Sequence, residues 1–373
     1  MNLKDYDDHF KRVEALEEKL RIKLDNITQS IKDDASDIHC ENLIGAITIP
    51  VGVAGPLKVK SSGGNREYYI PLATTEGALI ASANRGSKAI TESGGAMVHI
   101  EEVGTTRGPV FKVTGIKQAV WFKEWLDMHF KDLKKVAEST STHLKFKKIG
   151  TRILGRYVYL RLYFDTDLAM GMNMATIATD AIVNYITIKT KIQCLALAGN
   201  FDIDKKPAWL NFISGRGRKA WAEVVLTKKV LDSILKTEAK KLHEVIQAKC
   251  WGGSIMAGSL GFNAHFANIA GAFFAATGQD LAHVVEGSLG VTSAEVVNDH
   301  ELYISVYLPD IMIGMLGGGT KLRTQSEARS IIGAKTLTEF TEAFVAAVLA
   351  GEISLLASLA EKSLAVAHKN LGR

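Results

Sequence analysis

Residues 263–285, NAHFANIAGAFFAATGQDLAHVV, organise the reading of the whole chain. The stretch is rich in Ala and Gly, and Asp280 is its only acid. An apolar pattern of this length predicts one long helix, and a helix apolar on most faces belongs in the middle of a domain. Polar side chains interrupt it, His265 and Asp280 among them. His265 and Asp280 stand fifteen positions apart, which on one helix is about 22 Å along the axis and about 60° around it. Buried helices rarely carry such groups without partners. A single local site cannot hold both, so they would serve two ends of a long ligand or sites divided between subunits.

Upstream of that stretch, helices and strands alternate. Residues 5–32 read as one amphipathic helix, with Phe10, Val13, Leu16, Leu20 and Leu24 on a shared face that packs on the body or on a partner subunit. Residues 41–57 are apolar and extended, punctuated by Gly45, Gly52 and Gly55. A helix is expected over 74–91, capped by Thr74 or Thr75, with Glu76 in its first turn and Gly94 and Gly95 after its end. Short β-rich runs at 110–113 and 157–164 flank a basic helical segment, 121–148, and read as a small α+β unit inserted into the main body. A helix over 173–191 and a strand over 194–198 follow. Downstream come a strand at 221–226, a helix over 230–249 and a last helix over 338–369.

Composition narrows the function classes. A chain of 373 residues with 33 Gly and 6 Pro excludes collagen-like and proline-rich architectures and leaves room for two or three domains. The charge of +5 fits attraction to an anionic small molecule and falls short of a nucleic-acid footprint. Cys40, Cys194 and Cys250 lie far apart without a CxxC pair, so neither a disulfide framework nor a metal site is expected, and a reducing compartment is. The charged start of the chain has no apolar segment of the signal-peptide kind. No run approaches the roughly 20 apolar residues of a membrane span. The expectation is a cytoplasmic protein that binds neither membrane nor nucleic acid.

Several residues carry candidate chemistry. Asp204, Lys205 and Lys206 precede Pro207, which keeps Lys206 out of helical conformation. Adjacent ammonium groups repel unless an anion compensates them. The choice is between a solvated turn and an oxyanion site in which one Lys polarises a carbonyl. Residues 215–220, GRGRKA, match GxGxxA, but a strand follows where a dinucleotide fingerprint needs a helix, which excludes a Rossmann loop. Residues 169–174, AMGMNM, are followed directly by a helix whose N-terminal amides suit a pyrophosphate. Gly317, Gly318, Gly319 and Thr320 form either a second backbone cradle or a tight turn. Ser82, Arg85 and Lys88 fall three apart on one helix face, where solvent and a phosphate-bearing ligand compete as explanations. His368 near the C-terminus is either a surface side chain or a proton donor.

Taken in order, these pieces closely resemble the class I 3-hydroxy-3-methylglutaryl-CoA (HMG-CoA) reductases, in a form without a membrane domain. The likeness runs from about Glu41 through ENLIGAITIPVGVAGPL (41–57), ATTEGALIASANRGSKAI (73–90), TRGPV (106–110) and AMGMNM (169–174). It continues with GN (199–200), DKKPA (204–208), GRG (215–217), NAHFANI (263–269), GQD (278–280), GGGT (317–320) and the terminal AHKNLGR. The resemblance implies an α+β fold, with a large domain built around the long helix at 263–285. A small ferredoxin-like cofactor domain at 110–197 would be inserted into it. The large HMG-CoA-binding domain would comprise 46–109 and 198–373, preceded by a helical region at 1–45.

The same resemblance implies the reduction of HMG-CoA to mevalonate and CoA with two NADPH, NADH being an alternative. Lys205 would stabilise the thioester oxyanion, Glu76 would donate a proton, Asp280 would tune both, and His368 would protonate the departing CoA thiolate. Arg107, Asp204, Lys206, Lys249, His265 and Asn268 would hold the HMG group. Ser82, Asn84, Arg85 and Lys88 would meet CoA. Ser141, Thr142, Met170, Gly171, Met172, Asn173, Met174 and Gly317 to Thr320 would line the nicotinamide site. The active sites would form between subunits of a homodimer or homotetramer. The regulatory phospho-serine that follows the catalytic His in some members has no counterpart before Arg373.

Three positions depart from the family pattern. Leu168 stands where an Asp normally precedes AMGMN, with Asp167 one place earlier. Ala198 replaces a Ser that contacts the HMG group, removing a hydrogen bond worth about 0.5–1.5 kcal/mol. Ser141 is followed by Thr142 rather than by the Arg that reads the 2′-phosphate of NADPH. The expectation is a weakened NADPH selectivity, with NADH accepted or preferred unless Lys145, Lys147 and Lys148 compensate. Two rivals remain at this point. A CoA-ester-binding regulatory paralogue is favoured by Leu168 and Ala198 and opposed by the four filled catalytic positions. The other rival is the same enzyme working toward mevalonate oxidation.

Overall fold

The computed structural model describes residues 8–20 and 40–361. Helix α1 (His9–Leu20) leads to the hairpin β1 (Val51–Ser61) and β2 (Gly64–Ala73), helix α2 (Leu79–Glu92) and strand β3 (Ala96–Arg107). Then follow β4 (Val110–Lys112), α3 (Ile116–Met128), α4 (Phe130–Glu138), β5 (Lys145–Leu154), β6 (Tyr157–Asp165), α5 (Met172–Thr190) and β7 (Gln193–Ala196). The rest is α6 (Trp209–Ser214), β8 (Arg216–Leu226), α7 (Ala239–Ile246), α8 (Phe266–Thr277), β9 (Val291–Val297), β10 (Glu301–Ile311), α9 (Arg323–Ile332) and α10 (Leu337–Ala360).

Strand β3 is long enough to serve two sheets. Its first part pairs antiparallel with β8, and its last residues, Thr105, Thr106 and Arg107, pair with β6. One sheet runs β2–β1–β3–β8–β10–β9, antiparallel except between β1 and β3. The other runs β7–β4–β6–β5 and is antiparallel throughout. Its strands and helices follow one another as β4–α3–α4–β5–β6–α5–β7, a split β-α-β arrangement. The α+β reading therefore holds.

Two apolar clusters follow the two sheets. Phe111, Phe122, Leu126, Phe146, Phe164 and Ile182 pack together on the smaller one. Leu57, Ile90, Phe273, Phe344, Leu349 and Ile353 belong to the larger. The expectation that no run approaches a membrane span is corrected at helix α10, which is long and apolar enough to cross one, yet 78% of its most apolar window is buried inside the protein. Its apolarity has a local cause, because α2, α8 and the large sheet cover it.

The long buried helix is thus α10, and the predicted helix over 263–285 is corrected. Helix α8 covers only Phe266–Thr277 and ends at Gly278, whose φ of 72° is left-handed. The turn Leu281–His283 and the short helix Val284–Gly287 follow. His265 is the N-cap of α8 and Asp280 caps that later turn, so the 22 Å estimate along one axis does not apply. The apolar pattern had a break that composition concealed. Glu352 of α10, fully buried, accepts the amides of Ala264 and His265 at 2.8 and 2.7 Å and the Thr292 hydroxyl at 2.6 Å. A buried carboxylate at that position satisfies donors that a helix start leaves unpaired.

Other expectations shift by a turn or change type. Helix α2 begins at Leu79, after Ala78 at φ 73°, so Thr74 and Thr75 are not its caps and Glu76 lies in the preceding loop. The basic segment divides into α3 and α4, and Lys145, Lys147 and Lys148 lie on strand β5. The helix expected over 230–249 breaks at Lys236 (φ 58°) and resumes as α7, which continues as a wider, π-type turn over Gln247–Gly253. The predicted helices at 5–32 and 338–369 correspond to α1 and α10 where described, and their remaining residues lie outside the described range.

Helices α2 and α10 meet at Gly86. A Cβ there would stand 1.9 Å from the carbonyl oxygen of Ala350, deep inside contact distance. Gly86→Ala is therefore expected to push the helices apart and cost about 1–3 kcal/mol, read as a lowered denaturant midpoint. An unchanged midpoint would contradict that packing.

Candidate active site

A set of charges meets where β3 passes between the sheets and β8 begins. Arg216, the first residue of β8, is fully buried. It donates to Glu286 at 2.6 Å, to Asp204 at 2.8 Å and to the Thr106 hydroxyl at 2.8 Å. Burial works against its charge, but the carboxylates of Asp310, Glu286 and Asp204 outweigh that and hold the guanidinium pKa above its ordinary value. Glu286, also fully buried, accepts in addition the backbone amide of Lys205 at 2.6 Å. That bond steadies Lys205 in a left-handed backbone conformation, φ 57°, which a side chain of its kind rarely adopts.

The buried network thereby shapes the loop that presents Lys205. The lysine ammonium lies 2.8 Å from Asp280 and remains half-exposed. Asp280 also accepts the amide of Ala282 at 3.0 Å, capping its own turn. Partial burial opposes ionisation of Asp280, but the Lys205 hydrogen bond, the Ala282 amide and the charge of His283 together lower its pKa. Arg107, at the end of β3, braces the same loop. Its Nη1 lies 3.3 Å from Asp202 and 3.8 Å from Asp204, while its Nε and Nη2 donate to the Thr176 hydroxyl of α5.

Glu76 lies elsewhere. It is exposed in the loop before α2, its amide bound to the Thr74 hydroxyl at 2.9 Å. Its carboxylate accepts from Asn268 at 2.6 Å, in the first turn of α8. Asp280 lies beyond the last turn of that helix, and roughly 13 Å of helix separates Asn268 from Thr277. The chain thus presents two half-sites, Glu76 with Asn268 and Lys205 with Asp280. Lys206 is exposed with its ammonium turned back on the Asp204 carbonyl, and Lys249 is exposed on the π-type turn. His265 donates from Nε2 to the Gly351 carbonyl, 3.0 Å away. His368 lies outside the described residues.

On α2, Ser82 bonds Ser354, and Arg85 is engaged by Ser354, Ser358 and Glu361 of the C-terminal segment. Asn84 accepts the Gly55 amide at 3.1 Å, and Lys88 is exposed. The row thus ties α2 to α10 at Ser82 and Arg85.

The AMGMNM segment turns into α5 at Gly171, and its start is zipped to the residues before GGGT. Ala169 bridges Leu316, and Leu168 accepts the amide of Met315 at 2.8 Å. Gly278 and Gly319 are in backbone contact, joining GQD to GGGT. A Cβ at Gly317 or Gly318 would meet open space, so their backbone is accessible beside the N-terminus of α5. Ser141 approaches the Met174 sulfur at 3.7 Å, Thr142 is exposed, and Asp167 pairs with His143 at 3.0 Å.

Arg216, His283, Glu286 and Asp310 had been given no role. Arg216 stood inside a matched motif with no chemistry attached, and His283 and Glu286 were visible only as two ionisable residues three apart in an apolar run. Asp204, His283 and Glu286 bring one ligand atom each within 4.8 Å, but Arg216 already neutralises both carboxylates.

Comparison with known proteins places this geometry in a family. A family model described as hydroxymethylglutaryl-coenzyme A reductase matches residues 9–373. The chain is 47% identical to 3-hydroxy-3-methylglutaryl-coenzyme A reductase of Methanocaldococcus jannaschii, covering 97% of this chain and 92% of that one. It is 41% identical to 3-hydroxy-3-methylglutaryl-coenzyme A reductase 1 of Dictyostelium discoideum, covering 90% and 62%. The fold is similar to that of the class II reductase of Streptococcus pneumoniae solved with NADPH, with a TM-score of 0.72 at 18% identity over 96% of this chain and 99% of that one. With a match of that extent and those identities, the chain belongs to the hydroxymethylglutaryl-coenzyme A reductase family.

Proposed function

We propose that this chain reduces HMG-CoA to mevalonate and CoA, consuming two reduced nicotinamides. The observation that carries the reading is the Lys205–Asp280 pair at 2.8 Å, presented by a buried network in a member of this family. Each of the two nicotinamides would supply one hydride when bound. The half-exposed Lys205 ammonium takes up the negative charge that forms on the thioester oxygen as its carbonyl carbon is reduced. When the carbon–sulfur bond breaks, His368 protonates the CoA thiolate and an aldehyde remains. Glu76 donates the proton that turns the second reduction product into an alcohol. Asp280 holds Lys205 in place, and Arg107 positions the loop that carries both Asp204 and Lys205.

The residues at the start of α5 suit a dinucleotide. Helix N-terminal amides begin right after Gly171, and the open backbone at Gly317 and Gly318 adjoins them. Selectivity follows from their neighbours. Lys147 is bound to the Glu102 carbonyl at 2.9 Å and Lys148 lies over the Tyr163 ring, which leaves only the exposed Lys145 of the three to replace the missing Arg. The exposed Asp167 carboxylate adds negative charge close by, which disfavours a 2′-phosphate. The expected result is a kcat/KM for NADH at least equal to that for NADPH. A strong NADPH preference would overturn this.

The finer architecture belongs to the same proposal. A ferredoxin-like cofactor domain at 110–197 is supported by the separate apolar cluster and by the strand order β7–β4–β6–β5. The class I assignment is supported by the matched motifs and by an identity of only 18% to the class II structure. Assembly of active sites between two copies is supported by the two half-sites at opposite ends of α8, and by Ile47, Ile49, Val51 and Val53, which are exposed along one extended segment. Three free cysteines fit a reducing, cytoplasmic setting.

A steady-state assay of the purified protein with HMG-CoA, run separately with NADPH and NADH, tests the whole reading. Two nicotinamides oxidised per CoA released are expected. Binding of HMG-CoA without nicotinamide oxidation would instead identify a regulatory paralogue.

A further inference from the structure

Among the buried ionisable side chains that the mechanism does not use, one lies against the Lys205–Asp280 pair. His283 closes the turn Leu281–His283 and is fully buried. Its Nδ1 is 2.5 Å from Glu286. Its Nε2 is enclosed and makes no hydrogen bond, although Asp280 lies 3.8 Å and Asp204 3.9 Å away. A neutral imidazole fits these surroundings poorly. With its proton on Nδ1, the Nε2 lone pair would face two carboxylates; with the proton on Nε2, the Nδ1 lone pair would face Glu286. Glu286 already accepts from Arg216 and from the Lys205 amide, so its oxygens face the ring as acceptors. A doubly protonated ring donates toward both sides.

The charged groups around the ring come from four elements. Asp204 and Lys205 belong to the loop before α6, Arg216 to β8, and Asp280 and Glu286 to the ring's own turn and the short helix after it. Asp310 of β10 lies behind Glu286 and Arg216. Carboxylates thus outnumber the cations that face the ring.

We infer that His283 is a positioning residue for the Lys205–Asp280 pair and acts as a buried imidazolium. Asp280 then divides its charge between two cations, and the Lys205 ammonium stays available to the substrate oxyanion. When the imidazolium loses its proton, Asp280 is left to Lys205 alone, and their closer pairing withdraws ammonium charge from the substrate. Turnover therefore falls when the ring carries no charge. The inference rests on the reductase reading.

The test compares kcat and KM across the neutral pH range for the wild type and His283→Gln, which keeps a donor for Glu286 but cannot carry the charge. On the acidic side kcat should fall about tenfold, with KM nearly unchanged, and the alkaline limb set by the imidazole should vanish. A variant that keeps the wild-type rate and profile overturns the inference. Should His283→Gln fail a thermal-unfolding check, the ring-nitrogen chemical shifts of His283 in the ligand-free wild type decide. Both nitrogens protonated at neutral pH supports the inference, and a neutral tautomer overturns it. A wild type that oxidises no nicotinamide with HMG-CoA would strike the reductase reading instead, while the ring-nitrogen result would still judge His283.

Discussion

Lys205→Met lowers kcat by about two to three orders of magnitude, the usual consequence of removing one preorganised donor from a developing oxyanion. The ammonium is held at 2.8 Å from Asp280, but its backbone amide, not its side chain, ties the loop to buried Glu286. The loop therefore keeps its shape in the variant. An ion pair this exposed contributes little to stability, so the unfolding midpoint should barely move. KM should change far less than kcat, because the interaction strengthens only as charge develops on the substrate oxygen. A second readout follows from Asp280. Its lowered pKa contributes stability above the ordinary carboxylate range that is lost as pH falls through the folded-state value. Without Lys205 that value rises, so the variant loses this contribution at a higher pH than the wild type does. A methionine variant with wild-type turnover would remove Lys205 from the chemistry.

How much of this was legible in the residues alone depends on whether local pattern or tertiary contact decides each feature. The second half of strand β8 and helix α5 were readable because an apolar run, WAEVVL, and an uninterrupted helical period settle them locally. Lys205 was readable as chemistry because two adjacent lysines before a proline need an explanation within the loop itself. The long helix over 263–285 was misread because a left-handed Gly278 ends α8, and nothing in the apolar composition announces a turn there. Arg85 looked like a solvent-facing or phosphate-facing cation, yet its partners lie some 270 positions away on α10 and just past its end. Such pairs have no sequence signature. The buried quartet of Arg216, His283, Glu286 and Asp310 was missed for the same reason. Each residue is unremarkable alone, and only the crossing of β3, β8 and β10 makes them a network.

That network bears the largest expected loss of stability. Arg216→Met should destabilise the fold by about 3–5 kcal/mol, the typical cost of removing one partner from a buried ion pair. The arginine donates to Glu286 and Asp204, and its charge also offsets Asp310, whose pKa is already pushed well above the ordinary range by burial and by the charge of Glu286. Removing the one cation common to all three leaves buried carboxylates facing each other. The folded-state pKa of Asp310 then rises further. The folded variant consequently binds more protons than the folded wild type, so its stability deficit grows as pH rises and narrows as the carboxylates become protonated. Denaturant midpoints measured on both sides of neutrality check this, and a deficit that is constant with pH would point to lost packing alone. The expected sign also separates this arginine from Lys205. Losing the half-exposed lysine should cripple turnover in a stable protein, whereas losing the buried arginine should first loosen the loop that makes the lysine useful.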